Sequence, residues 1–160
     1  MKHFIYILAL SLYAGICSAQ APTNITEIAR FIIQDARFNQ VDVTEQYING
    51  NVYLVFYRVA GNDQIYFANV WPIKNTQSYG RIYNLETTSQ DATTTEYKNE
   101  TYSFKWSYIN DYDKKEGTAS MKLGLIYKPN GTAFILTMIP ETLDAFIYKG
   151  YVAGSLNFGK

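Results

Sequence analysis

Beyond residue 19 the chain contains no histidine and no cysteine; His3 and Cys17 are the only ones it has. That absence removes much of the recognisable chemical vocabulary from residues 20–160. No histidine base is there to activate a serine or cysteine nucleophile, and no zinc site built on Cys or His ligands can form. Residues 20–160 also cannot close a disulfide. The longest cation run is Lys114-Lys115, set among Asp111, Asp113 and Glu116. A nucleic-acid partner calls for a basic stripe and an anionic membrane surface for a polybasic patch, and neither is present. G-x-S-x-G, phosphate-loop and dinucleotide fingerprints are missing too. The nearest glycine grouping, Gly150-Tyr151-Val152-Ala153-Gly154, lacks their spacing.

Residues 1–19 read as an export signal. Lys2 and His3 supply a polar start, Phe4 to Leu12 form an apolar run broken only by Ser11, and Cys17-Ser18-Ala19 is a small-x-small cleavage site. The run is shorter than the roughly 20 residues that span a bilayer, so no transmembrane segment is expected after cleavage. A lipid anchor on Cys17 is the weaker alternative, because Ile16 before it is not small. The expectation is a secreted or periplasmic protein whose residues 20–160 form a single globular domain. Its length suffices for a core without disulfides. The chain balances 14 Lys and Arg against 14 Asp and Glu, and loss of Lys2 leaves one net negative charge.

The chain is rich in sheet formers. Asn24 and Glu27 have the spacing of a capping box, and Ile25, Ile28, Ala29, Ile32 and Ala36 recur at helical intervals, which predicts a helix over 24–38. With Arg30 and Arg37 offset by Glu27 and Asp35, that helix suits a sheet better than a membrane surface. Asn49-Gly50 predicts a hairpin between strands 41–48 and 51–59. Further strands are expected at 64–71, ended by Pro72, and at 79–88, with a polar loop over 89–95.

The clearest alternation is Tyr102, Phe104, Trp106 and Tyr108 against Ser103, Lys105 and Ser107. Strand 118–128 repeats it, Pro129-Asn130-Gly131 turns the chain, and 132–139 returns before Pro140. A last strand is expected at 144–152, with a short helix over 141–149 as the alternative. The fold class is therefore α+β leaning all-β, with an N-terminal helix packed on a curved antiparallel meander of seven or eight strands, barrel-like or half-barrel. Strands 51–59 and 64–71 are apolar on both faces, which predicts that the helix covers them. In architecture alone this is loosely similar to small barrel-like binding proteins of the lipocalin sort. No lipocalin motif is matched, and no residue role follows.

Three groups of residues invite a chemical reading. Asp111-Tyr112-Asp113 with Glu116-Gly117 resembles part of a calcium loop, but Lys115 stands where a ligand belongs and no glutamate closes the loop, so a solvated tip is preferred. Carboxylate pairs are the remaining acid–base option, and no pair among the loop and strand-end acids stands out. Asn24, Asn99 and Asn130 lie in glycosylation sequons, which carry meaning only in a glycosylating host.

The aromatics are the residual clue, with 15 Tyr, 9 Phe and 2 Trp in the chain. Tyr102, Phe104, Trp106 and Tyr108 are the candidate ligand-binding line, with the core face of a strand as the alternative reading. Tyr53, Tyr57, Tyr66, Tyr83 and Tyr112 are the candidates for exposed contacts. The expected function is an exported, non-enzymatic domain that binds a small apolar or carbohydrate ligand in a curved-sheet cavity, with no metal and no cofactor. A structural or protein-interaction component of the cell envelope is the alternative, and a carboxylate-dependent hydrolase comes third.

Overall fold

The computed structural model describes residues 24–91, 98–142 and 144–154; the expected export signal and most of the 89–95 loop lie outside them. The elements are β1 (Ile25–Phe38), β2 (Val41–Asp42), α1 (Thr44–Asn49), β3 (Tyr53–Val59) and β4 (Ile65–Trp71), then a single 3-10 turn at Pro72–Lys74. They continue with β5 (Thr76–Asp91), β6 (Lys98–Asn110), β7 (Glu116–Lys128), β8 (Gly131–Pro140) and β9 (Phe146–Ala153). From β3 onward every strand pairs antiparallel with the next in sequence, and β1 pairs with both β3 and β9. The result is a closed eight-stranded up-and-down barrel, with β2 as a two-residue flap beside the end of β1. Closure leaves no free edge along the β1–β9 seam.

The expected helix over 24–38 is instead the long strand β1. Register slips between Glu27 and Ala29 and again between Ile33 and Asp35. Each bulge adds a residue, so the buried positions fall at Ala29, Phe31, Ile33 and Ala36 rather than in strict alternation. That spacing imitates a helical stripe. Glu27, expected in a capping box, forms a bidentate pair with Arg30 (3.1 and 2.7 Å). The run is also rich in β-branched residues, which the pleated surface favours.

The hairpin expected at Asn49-Gly50 is corrected as well. Only Val41–Asp42 is extended, Thr44–Asn49 is helical, and Asp42 Oδ1 accepts the Thr44 N–H at 2.9 Å, an Asx turn that starts the helix. The helix docks through Tyr47 against Trp71 and Tyr148. Residues 146–153 are strand and not the alternative helix. Elsewhere the expected strands stand, with β5 and β6 longer than read. Lys128 pairs with Gly131 across a two-residue turn at Pro129-Asn130.

The barrel interior is solid through its middle. Phe31, Phe56, Phe67, Leu54, Leu123 and Phe134 are all at most 1 % exposed. Phe31 meets Phe56 and Phe134 edge to face, and Phe56 meets Phe67 and Phe104. Burying side chains of this size stabilises by about 1.5–3 kcal/mol each. On β6 and β7 apolar groups point inward while Lys105 and Lys122 point outward. Among the described residues no helix is long and apolar enough to cross a membrane. Tight closure has a local signature at Gly150, where a Cβ would lie 1.9 Å from the Ile32 carbonyl oxygen across the seam. Only glycine admits that approach.

Candidate functional site

Alternation sends Tyr102, Phe104, Trp106 and Tyr108 into the barrel together, but at successive depths. Tyr102 lies toward one end, where its hydroxyl and that of Tyr127 both donate to Glu100 Oε2 (2.7 and 2.6 Å). Burial and the neighbouring carboxylate push the Tyr102 phenol up to about 12. Phe104 is core, edge-on to Phe56 at 5.7 Å. Only Trp106 and Tyr108 reach the open mouth at the opposite end. The four expected ligand contacts therefore divide into two that pack and two that line a cavity.

That cavity has a volume of about 530 Å³. Trp106 forms its inner wall, 2 % exposed, edge-on to Phe67 at 4.9 Å and stacked on Tyr108 at 4.4 Å. The Tyr108 ring has its position because Gly117 lies opposite it; a Cβ there would come within 2.7 Å of the phenol. On the far side Tyr148, 1 % exposed, places its hydroxyl 3.2 Å from that of Tyr47 and also hydrogen-bonds the Asn69 side chain. Trp71 completes the rim, with its ring 4.8 Å from Tyr47 and the Lys74 ammonium 4.1 Å above its face.

The polar groups here are almost all neutral. Ser78 donates to Asn110 Oδ1 at 2.6 Å, and Asn110 also hydrogen-bonds Asp113. Asp111 holds the rim closed by accepting the Gln77 N–H at 2.9 Å while its own N–H donates to the Gln77 carbonyl. Two polar atoms of the lining stand out: Trp106 Nε1, a donor, and Asn69 Oδ1, an acceptor, are buried and have no hydrogen-bond partner among the described residues. A buried polar group left unmade costs on the order of 1–3 kcal/mol, so such a pair is informative. Among the described residues Lys74 is the one charged member of the lining. Burial raises the Tyr47 and Tyr148 phenols above the ordinary tyrosine value.

Asn69, Trp71, Tyr47 and Tyr148 escaped the sequence reading. One signal was available for the first two: Ile65, Phe67, Asn69 and Trp71 alternate on one face, and Asn69 is the polar member of an inward row. Tyr47 and Tyr148 are 101 residues apart and gave no signal. The 111–117 loop uses Asp111 and Asp113 in turn hydrogen bonds to Gln77 and Lys115. No group of three or more possible metal ligands occurs among the described residues.

A second depression, of about 750 Å³, lies on the outside of the barrel. Its floor is one cross-strand row running Arg30, Val55, Ala68, Tyr79, Ile109 and Glu116. Tyr57 and Tyr66 stack beside it at 5.5 Å, and the Arg30 guanidinium lies 4.4 Å over Tyr53. This groove explains why β3 and β4 are apolar on both faces. The inner face fills the core and the outer face forms the groove, with no helix among the described residues covering it. Tyr53, Tyr57 and Tyr66 are thus contact candidates brought together, while Tyr112 lines the barrel-mouth cavity instead and Tyr83 belongs to neither.

No family model, curated protein or solved structure matches the chain.

Proposed function

We propose that this protein is an exported, non-enzymatic binding domain that holds a small ligand at the mouth of its barrel. The observation that carries this reading is the pairing of an unpartnered buried donor, Trp106 Nε1, with an unpartnered acceptor, Asn69 Oδ1, in the lining of one aromatic cavity. Ligand sites are typically apolar concavities with a few convergent polar groups, and this mouth has that composition. The absence of histidine beyond residue 19 and the protonated state of the lining phenols favour holding a ligand over transforming it.

Native mass spectrometry of the protein purified from its own host tests the proposal. A retained small molecule that is lost from a Trp106→Phe variant is the expected result. Unliganded protein that also fails to bind any compound in a broad small-molecule screen would sink it.

The outer groove favours a second reading, in which a protein partner of the cell envelope inserts a convex apolar side chain between Tyr57 and Tyr79. The supporting observation is that Ala68, on the outward face, is only 2 % exposed at the groove floor. Tyrosine-walled depressions with charges at the rim suit protein contacts.

A further inference from the structure

We infer that the ligand class of the barrel mouth is a neutral saccharide: a pyranose ring, alone or as the end of a short glycan. This inference rests on the ligand-binding reading above and narrows it.

Depth argues first. Trp106 sits directly on Phe67, which is fully buried, and Leu54 and Phe56 fill the barrel behind it. Among the described residues no bore continues inward to receive a long acyl chain, so the occupant must be compact and partly seated in the rim.

Charge argues second. Among the described lining residues there is no carboxylate to neutralise a cationic ligand, the nearby Asp111 and Asp113 being engaged by Gln77, Asn110 and Lys115, and the one cation of that lining, Lys74, is stacked on the Trp71 ring. An ionic ligand would lose hydration here with little to replace it. The lining is instead built from amides and hydroxyls: Asn69, Ser78, Thr76, Gln77 and Asn110, with the phenols of Tyr47 and Tyr148.

Chemical complementarity argues third. A purely apolar occupant would leave Trp106 Nε1 and Asn69 Oδ1 unpaired, at a cost on the order of 1–3 kcal/mol for each. A sugar hydroxyl is at once donor and acceptor, so the hydroxyls of one ring suit both an unpaired donor and an unpaired acceptor. The carbon–hydrogen face of a pyranose lies flat on an aromatic ring, and Tyr112, the exposed ring of this lining, provides one at the mouth beside Trp71 and Tyr108, which are already stacked on Lys74 and Trp106.

The chain itself supplies the probe for a test. It contains two tryptophans, and both line this cavity. An amide spectrum of the 15N-labelled protein therefore shows two indole N–H signals, both reporting on the mouth. The signals are followed while adding neutral hexoses, pentoses, N-acetylhexosamines and their disaccharides, and in parallel octanoate and 1-naphthol as compact apolar probes.

The expected result is a saturable shift of both indole signals by at least one saccharide. Asn69→Leu, which keeps a branched side chain of similar shape and removes its polar atoms, should weaken that binding at least tenfold, about 1.4 kcal/mol, with the rest of the amide spectrum checking that the fold is retained. A saccharide that moves only the Trp71 signal, or that binds Asn69→Leu equally well, overturns the assignment. Saturation by an apolar probe with no response to any saccharide overturns the sugar class but leaves a ligand site. Silence of both signals towards both panels removes the ligand site as well.

Discussion

The hydroxyl of Tyr47, on α1, lies 3.2 Å from that of Tyr148, on β9, and this buried contact ties the short helix to the strand that closes the barrel. Tyr148 also has Asn69 as a partner, so the three residues form one chain of polar contacts beside the cavity. Tyr47→Phe keeps the ring packing against Trp71 and removes one hydrogen bond. The expected loss is about 1 kcal/mol, read by urea unfolding. Tyr148→Phe should cost more, because it strips a partner from both Tyr47 and Asn69. The double variant should lose less than the sum of the single losses, as coupled neighbours do.

Alkali should destabilise the fold through its raised phenols. Burial lifts Tyr57 to about 12, with Tyr66 and Tyr79 adding to the effect, and burial beside Glu100 lifts Tyr102 to about 12. An unfolded tyrosine ionises near pH 10, so above that pH the unfolded chain sheds protons that the native state retains. Stability is therefore fully present below about pH 10 and falls as pH rises towards 12. Tyrosinate absorbance and circular dichroism should change together over that window. Tyr57→Phe should make the decline shallower.

Gly150 should be the least tolerant glycine of the barrel seam. Alanine there places a Cβ against the Ile32 carbonyl, a backbone atom that can move only if β1 and β9 separate. The expected cost is about 3 kcal/mol, at the upper end for overpacking. Thermal melting compared with Gly124→Ala, where a Cβ meets nothing closer than 3.8 Å, isolates the steric cause.

Glu100 receives two phenolic hydrogen bonds, from Tyr102 and Tyr127. Replacement by alanine leaves both hydroxyls without that acceptor and should cost about 2 kcal/mol, whereas glutamine should recover roughly half. If chemical denaturation shows Glu100→Gln to be as damaging as Glu100→Ala, the negative charge rather than the hydrogen bonds stabilises that end of the barrel.

The long strands β6, β7 and β8 were legible because one face of each meets the core and the other meets water, which writes a period of two into the residues. The strand β1 was not. Its two bulges shift the inward positions to 29, 31, 33 and 36, and a one-dimensional pattern cannot distinguish that from a helical stripe. Strands β3 and β4 carried a real signal, apolar on both faces, whose cause lay outside the barrel in the tyrosine groove. The candidate line from Tyr102 to Tyr108 was placed on the correct face. Its members part company only with depth, and depth depends on where the barrel closes.

By itself the sequence determined the absences and the alternations. Missing histidine and cysteine after residue 19 excluded whole chemistries, and the period-two strands demanded a two-faced antiparallel sheet. Tertiary structure alone decided that the sheet closes β1 on β9, that Asn69 and Trp106 line one cavity, and that Tyr47 meets Tyr148. Those contacts join residues far apart in the chain through the shear and bulges of a closed barrel, and register is a property of paired strands rather than of any one of them.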